Sequence, residues 1–422
     1  MRIVDTSCLY RTKPMYVEDQ NDFVNGACEL ETSLEPLALL DRLQGIEQRL
    51  GRVKKINKGP RNIDLDIIGY QGQTIREERL IVPHALLHER AFVLRPLCDL
   101  QHGRSWVVPT SQRSASDHLN DLNEDMQSMT VLGSEGASLA ALDPKRRTLL
   151  MSILNVTPDS FSDEGRNFTK SFDRLQQIVT SHIAAGADII DIGGQSSRPN
   201  AADISADEEI ERVLPAIEAV KALPEAKDIV ISVDTYRATV AEAAVNAGAH
   251  IVNDISAGLL DDAMLSTVAR LGCTYAMMHM RGTPATMSSK ENCTYPSDVT
   301  HVVADELEDR LNAALDAGIR RWRLILDPGI GFAKDLSGNL ALLRRLGELR
   351  QDTRFHGMPW LVGSSKKKFI GTVTGVTDAS DRNWGTAATV TAAIAGGADI
   401  VRVHDVEPML SVVKMADAIY RA

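Results

Sequence analysis

From residue 146 onward, short apolar runs alternate with helical stretches eight times: LLMSIL, ADIIDIGG, IVISVD, AHIVND, TYAMMH, RLILDP, PWLVGS and ADIVRVH. Near-continuous apolar runs are the mark of strands buried on both faces, and helices between them impose parallel pairing. Eight such units match the count and order of a closed (β/α)8 TIM barrel. An open doubly wound sheet is the competitor, but no GxGxxG turn follows the first run. The reading is α/β, with the barrel over residues 146–422.

A different rhythm precedes the barrel. RIVDTSCLY, DFVNGACELET and IDLDIIGY read as strands, and EPLALLDRLQGIEQRLGR as a helix with Leu37, Leu40, Leu43, Ile46 and Leu50 on one face and Pro36 in its first turn. Residues 1–108 are expected to form a small α+β domain. Residues 109–145 are polar, rich in Ser, Asp and Asn, and read as a linker with one or two helical turns.

Charge and cysteine usage exclude several functions. The 57 acidic and 46 basic residues leave a net charge of -11 without a basic block, so nothing favours nucleic acid. The five cysteines are scattered with no CxxC pair, which argues against zinc or a disulfide framework and suits a reducing compartment. With no apolar stretch long enough for a bilayer and no leader-like start, the expectation is a soluble cytoplasmic protein, or a mitochondrial one if a segment lies upstream.

In barrels of this kind the chemistry sits where strands end. Those ends carry Asn155, Gly193 and Gly194, Asp234, Asn253 with Asp254, His279, Asp327, Ser364 to Lys368, and Arg402 with His404. Asp234, Asn253 and Asp327 suit a flat heterocycle with several donors and acceptors. Arg198, Arg402 and His404 suit phosphate oxygens. A substrate joining a heterocycle to a phosphate or diphosphate would satisfy both.

LNVTPDSFSDEG, DIGGQSSRP, SVDTY, VNDISA, MHMRGTP, LDPGIGFAK, GSSKKKFIG and RVHDV together resemble dihydropteroate synthase, in that order and across residues 146–422. The resemblance implies condensation of (7,8-dihydropterin-6-yl)methyl diphosphate with p-aminobenzoate, giving 7,8-dihydropteroate and diphosphate. It implies that Asp234, Asn253, Asp327 and Lys367 hold the pterin, with Phe332 beside the ring. Asn155, Arg198, Arg402 and His404 would hold diphosphate, with Mg²⁺ near Asn155. Phe161, Ser197, Pro199 and Ser365 would shape the aminobenzoate site. Ser197 stands where the family usually has Thr, and Lys366 where it usually has Arg. Lys367, Asp234, Asp327 and Arg402 are the expected catalytic set, and a homodimer through the barrel is implied. A pterin-binding methyl-transfer module and a Schiff-base aldolase using Lys367 are the alternatives.

In GPRNIDLDIIGY, Asp64 and Asp66 are two apart, which on a strand puts both on one face. With Arg61 before them and VPHALLHER after, the pattern suits Mg²⁺-ATP. SCLYRTKP, DQNDFVNGACELET, GPRNIDLDI and PHALLHERAFVLRPL resemble hydroxymethyldihydropterin pyrophosphokinase over about residues 1–100. The resemblance implies Asp64 and Asp66 as catalytic Mg²⁺ ligands, and Arg52, Arg61, His84 and Arg90 on ATP phosphates. Thr12, Phe23, Asn25 and Phe92 would line a pterin pocket. That family opens with a strand and helix bearing a Gly-Ser-Asn motif, and the chain begins after them. The expectation is therefore an N-terminally incomplete ferredoxin-like domain with impaired transfer, or a non-catalytic pterin-binding or structural module.

Overall fold

A computed structural model describes residues 1–14, 21–52, 62–122, 126–133, 137–156, 172–195 and 204–421. Two units follow one another along the chain, residues 1–129 and 130–422.

In the first unit RIVDTSCLY is two strands rather than one. Arg2–Thr6 pairs antiparallel with Cys28–Glu31, whereas Leu9–Thr12 pairs with Phe23–Asn25 and with residues 127–129. The break falls at Ser7, whose N–H donates to the Ala27 carbonyl (2.9 Å) and whose hydroxyl accepts from the Ala27 N–H (2.8 Å). The helix Pro36–Arg49 forms as expected, with Pro36 in its first turn. Its buried face is Leu39, Leu40, Leu43 and Glu47, packed with Ile67, Leu80 and Val82. Leu37 (39% exposed) and Leu50 (55%) lie off that face, contrary to the expected stripe. Glu47 takes a core position because its carboxylate accepts from the Leu65 N–H (2.7 Å) and from Arg52.

IDLDIIGY is extended but is not a strand: its backbone enters no ladder among the described residues. Side chains still alternate, with Asp64 and Asp66 outward and Ile67 buried. The backbone is held instead by the Glu47 carboxylate at Leu65 and by the His84 N–H at the Ile68 carbonyl (3.3 Å). A second helix, Ala91–Asp99, packs against Phe23–Asn25.

Residues 109–145 carry regular structure. Val107–Val108 pairs with Arg113–Ser114, and Ser114 caps the helix Ala115–Asn120 in a reciprocal box with Asp117. Gln127–Val131 and Ser138–Leu139 are strands.

The second unit is the eight-stranded parallel barrel. Its strands are Leu149–Asn155, Ile189–Gly193, Val230–Asp234, Ile251–Asp254, Thr274–Met278, Leu324–Asp327, Leu361–Val362 and Ile400–Val403. They neighbour in sequence order, the first pairs with the last, and a parallel bridge between Leu326 and Trp360 completes the ring. Each strand sends one residue into a shared core cluster: Met151, Ile189, Val230, Ile251, Ala276, Ile325, Leu361 and Ile400. Leu132, Leu139 and Ala141 belong to the same cluster. This apolar stack leaves the carboxyl ends of the strands for polar side chains. Among the described residues no helix is long and apolar enough to cross a membrane.

Candidate functional site

Strand register places the polar groups. Asn155, Gly193, Asp234 and Asn253 stand side by side on successive strands. Asp191, two residues before Gly193, points into the barrel one layer deeper and is 0% exposed.

Arg402 enters from the last strand and joins two of these carboxylates. Its Nε donates to Asp191 Oδ2 (2.6 Å) and its Nη2 to Asp234 Oδ2 (2.7 Å). Asn253 Nδ2 donates to the same Asp191 oxygen (3.1 Å). One cation thus serves two carboxylates, and its effects on the partners differ. Burial disfavours the Arg402 charge, but Asp191 and Asp234 outweigh it and hold the guanidinium above its ordinary range. Asp234 shares its cation with Asp191 and is under-compensated. Burial, opposed by Arg402 and reinforced by Asp191, pushes its carboxyl up to about 7.

The sixth and seventh strands supply the other side. Asp327 is buried and accepts from the Gly329 N–H (2.7 Å). Burial raises its carboxyl, opposed by Lys367. Lys367 donates to the Ile330 carbonyl and lies 4.3 Å from the centroid of the Phe332 ring. Burial draws its ammonium down to about 7 despite Asp327. A Cβ at Gly331, whose φ is +83°, would collide with the Lys367 side chain, so glycine is what lets the lysine reach across. Ser365 Oγ accepts from the His404 N–H (3.2 Å) and pairs with His404 Nδ1 (3.0 Å), bringing those two expected residues together.

Joined to Phe332 through its carbonyl is a polar cluster for which the sequence reading names no role. His279 Nδ1 is 2.9 Å from Lys334 Nζ, and its Nε2 is 2.7 Å from Glu306 Oε2. Lys334 also donates to the Phe332 carbonyl (3.0 Å). Burial and then Lys334 push the imidazole down to about 4. Burial likewise draws Lys334 down to about 7, against the attraction of Asp327. Asp191, Lys334 and Glu306 are the residues sequence reasoning missed. An aspartate inside the apolar run ADIIDIGG was the available signal, since such a charge is rarely buried without a partner.

In the first unit Asn25 Nδ2 donates to Thr12 Oγ1 (2.7 Å), and Phe23 pairs in register with Thr12. Arg52 bridges Glu47 and Asp64, the latter at 2.6 Å. Burial lowers the His84 imidazole, while Asp66 and Asp64 oppose that shift and Arg90 adds to it, so these four charges lie close together. The Arg90 guanidinium is 5.6 Å from the Phe92 ring centroid. Arg61, Phe161, Ser197, Arg198 and Pro199 lie outside the described residues.

Among the described residues no three His, Cys, Asp or Glu converge on a common metal position. Asp64 and Asp66 nevertheless suit Mg²⁺, which needs only one or two protein carboxylates when waters and substrate phosphates complete its shell. Both are exposed on one side of an extended segment. The Asn155 amide oxygen offers a further hard ligand.

Residues 151–404 match the pterin binding enzyme family, and residues 1–102 match 7,8-dihydro-6-hydroxymethylpterin-pyrophosphokinase. The chain is 46% identical to the folic acid synthesis protein fol1 of Pneumocystis carinii, covering 100% of this chain and 56% of that protein. It is 44% identical to the mitochondrial folate synthesis bifunctional protein of Pisum sativum, covering 100% of this chain and 84% of that one. It spans about half the length of the fol1 proteins it matches. The crystal structure of dihydropteroate synthase from Clostridium difficile in the presence of pteroic acid superposes with a TM-score of 0.59 at 39% identity, over 66% of this chain and 98% of that one.

Proposed function

Because the chain belongs to the pterin binding enzymes, and over both units to the folate synthesis bifunctional proteins, we propose that its barrel condenses (7,8-dihydropterin-6-yl)methyl diphosphate with p-aminobenzoate. The observation that carries this reading is the ring formed by Asp191, Asp234, Asn253, Asp327, Lys367 and Arg402 at one end of the barrel. Asp234, Asn253 and Asp327 present carboxylate and amide groups to the N–H edge of a pterin, and Lys367 donates to its acceptor edge beside Phe332. Guanidinium carries five N–H donors. Arg402 retains donors beyond those given to Asp191 and Asp234, and these meet the diphosphate with Asn155, Arg198 and His404. Phe161, Ser197, Pro199 and Ser365 form the aminobenzoate side.

The reaction needs no enzyme nucleophile. The exocyclic C–O bond breaks with its electron pair leaving on diphosphate, the electron-rich dihydropterin holds the positive charge, and the amine forms the C–N bond and releases a proton. The protein's contribution is to stabilise the leaving charge and keep the two substrates aligned. Mg²⁺, where bound, supplies further neutralisation of the diphosphate. The first unit would transfer diphosphate from ATP to the hydroxymethyl pterin, with Asp64 and Asp66 as the residues that would hold Mg²⁺ and His84 and Arg90 on the phosphates. The same reading pairs two copies through the outer barrel helices, where Trp384 is 89% exposed and Val373 and Met415 are exposed on helices that pack against its own.

The test is to assay purified protein separately with each pterin substrate. Product from the diphosphate ester and p-aminobenzoate, absent in Arg402→Ala, is expected. Failure to form dihydropteroate with any divalent metal refutes the assignment. A lysine drawn to about 7 is chemically able to form a Schiff base, but on this reading Lys367 serves the pterin beside the Ile330 carbonyl, so borohydride trapping with a carbonyl substrate is expected to give no adduct.

A further inference from the structure

At the opposite end of the barrel, three arginines line a cavity of about 290 Å³: Arg146 before the first strand, Arg350 before the seventh, and Arg421 after the last helix. Gly396 and Gly397, before the eighth strand, complete one wall. Counter-charge there is sparse. Arg146 Nε donates to Asp399, which is fully buried and also accepts from the Trp360 N–H (2.8 Å). Arg421 lies 3.5 Å from Asp417, whose carboxylate is already engaged by the Thr148 N–H and hydroxyl. Arg350 has no carboxylate partner among the described residues. Its Nη2 donates to the Ala141 carbonyl (2.5 Å), and its buried Nε finds no acceptor.

The remaining guanidinium hydrogen bonds go to carbonyls: Arg146 to Asp143 and Gly397 (both 3.0 Å), and Arg421 to Arg146 (3.3 Å) and Ala398. Carbonyl oxygens satisfy N–H groups but do not cancel charge. Among the described residues three cations therefore face two carboxylates at a partly buried site. Burial and then Arg146 lower the affinity of both Arg350 and Arg421 for their protons, with Arg421 falling to about 10. Mutual repulsion of this kind is unfavourable unless an anion joins it.

We propose that Arg146, Arg350 and Arg421 form an anion site at the amino end of the barrel strands, and that it takes a small phosphate or diphosphate oxyanion. Arginine forks match such oxygens in paired geometry. The cavity is at the lower limit of small-molecule pockets, which suits an inorganic or singly substituted phosphate rather than a whole nucleotide. Because this end of a barrel governs stability rather than chemistry, the bound anion tightens the closure between the seventh, eighth and first strands. The inference does not depend on the proposed condensation.

The full chain is titrated calorimetrically with inorganic phosphate, diphosphate and acetate at constant ionic strength set by chloride. Diphosphate is expected to occupy one site fewer in Arg350→Gln than in the parent, with the condensation rate of Arg350→Gln within twofold of the parent. Arg402→Gln is expected to lose the site at the other end of the barrel instead. Arg350→Lys, which keeps the charge without the fork, is expected to bind at least tenfold more weakly at the amino-end site and covers the case of an unfolded glutamine variant. Equal binding by parent and Arg350→Gln, or acetate binding as tightly as phosphate, overturns the proposal.

Discussion

Asp234→Asn is expected to gain stability relative to the parent as pH rises, while disabling the condensation. The Asp234 carboxyl sits at about 7 rather than its ordinary 3.8, because burial beside Asp191 outweighs its share of Arg402. The sign follows from proton counting. Between those two values the unfolded chain has released the proton and the folded chain has kept it, so stability falls as pH rises through the window and levels off above it. Each pH unit inside the window is worth about 1.4 kcal/mol. From pH 5 to pH 8 the parent should lose about 2–3 kcal/mol on this account, and an asparagine, which cannot ionise, should lose none of it. The stability of Asp234→Asn relative to the parent should therefore rise by about 2–3 kcal/mol over that range, whatever constant cost the lost hydrogen bond to Arg402 adds. Urea titrations at both pH values, read by hydrogen exchange in the barrel strands, keep the first unit's unfolding out of the measurement. A difference that is the same at pH 5 and pH 8, or that moves the other way, refutes the electrostatic account of the ring.

Three other outcomes test separate links. Arg402→Gln leaves the fully buried Asp191 without its cation and should destabilise the barrel by about 3–5 kcal/mol, part of which adding Asp191→Asn should restore in the same unfolding assay. With Lys367 drawn down to about 7, kcat/KM for condensation should fall as pH rises past neutrality, and Lys367→Arg should flatten that limb of the profile. Asp64→Ala combined with Asp66→Ala should lower diphosphate transfer from ATP at least tenfold and leave the barrel reaction unchanged, measured on one preparation.

The barrel was legible in the sequence because its signals are local. Each strand is an apolar run long enough to identify alone, and the count of eight fixes the closure. The expected strand-end residues Asn155, Asp234, Asn253 and Asp327 do stand at one end of that ring. In the first unit the signals depend on distant partners. IDLDIIGY has the alternation of a strand, and its aspartates do share a side, yet alternation says nothing about which backbone groups will pair. Glu47 illustrates the same limit. A glutamate on a helix reads as solvated, and it takes the backbone N–H of Leu65, eighteen residues on, together with Arg52 to draw it into the core.

The charge pairing within the barrel mouth was beyond local pattern for a related reason. Sorting strand ends by residue type put Arg402 with phosphate-binding groups and Asp234 with heterocycle-binding groups. The structure joins them through a hydrogen bond of 2.7 Å. Both assignments remain compatible with that contact, because a buried cation must be partnered before substrate arrives, and the carboxylates proposed to meet the pterin are the nearest partners. Asp191 makes this arrangement stable: it keeps Arg402 aimed through Nε while the Nη edge faces Asp234. Asp234 is left with half a counter-ion and a raised proton affinity, which is a cost to folding and an advantage to a group proposed to receive a pterin N–H. On this proposal a buried aspartate inside an apolar run is the sequence mark of positioning, and the strand-end aspartate the mark of binding.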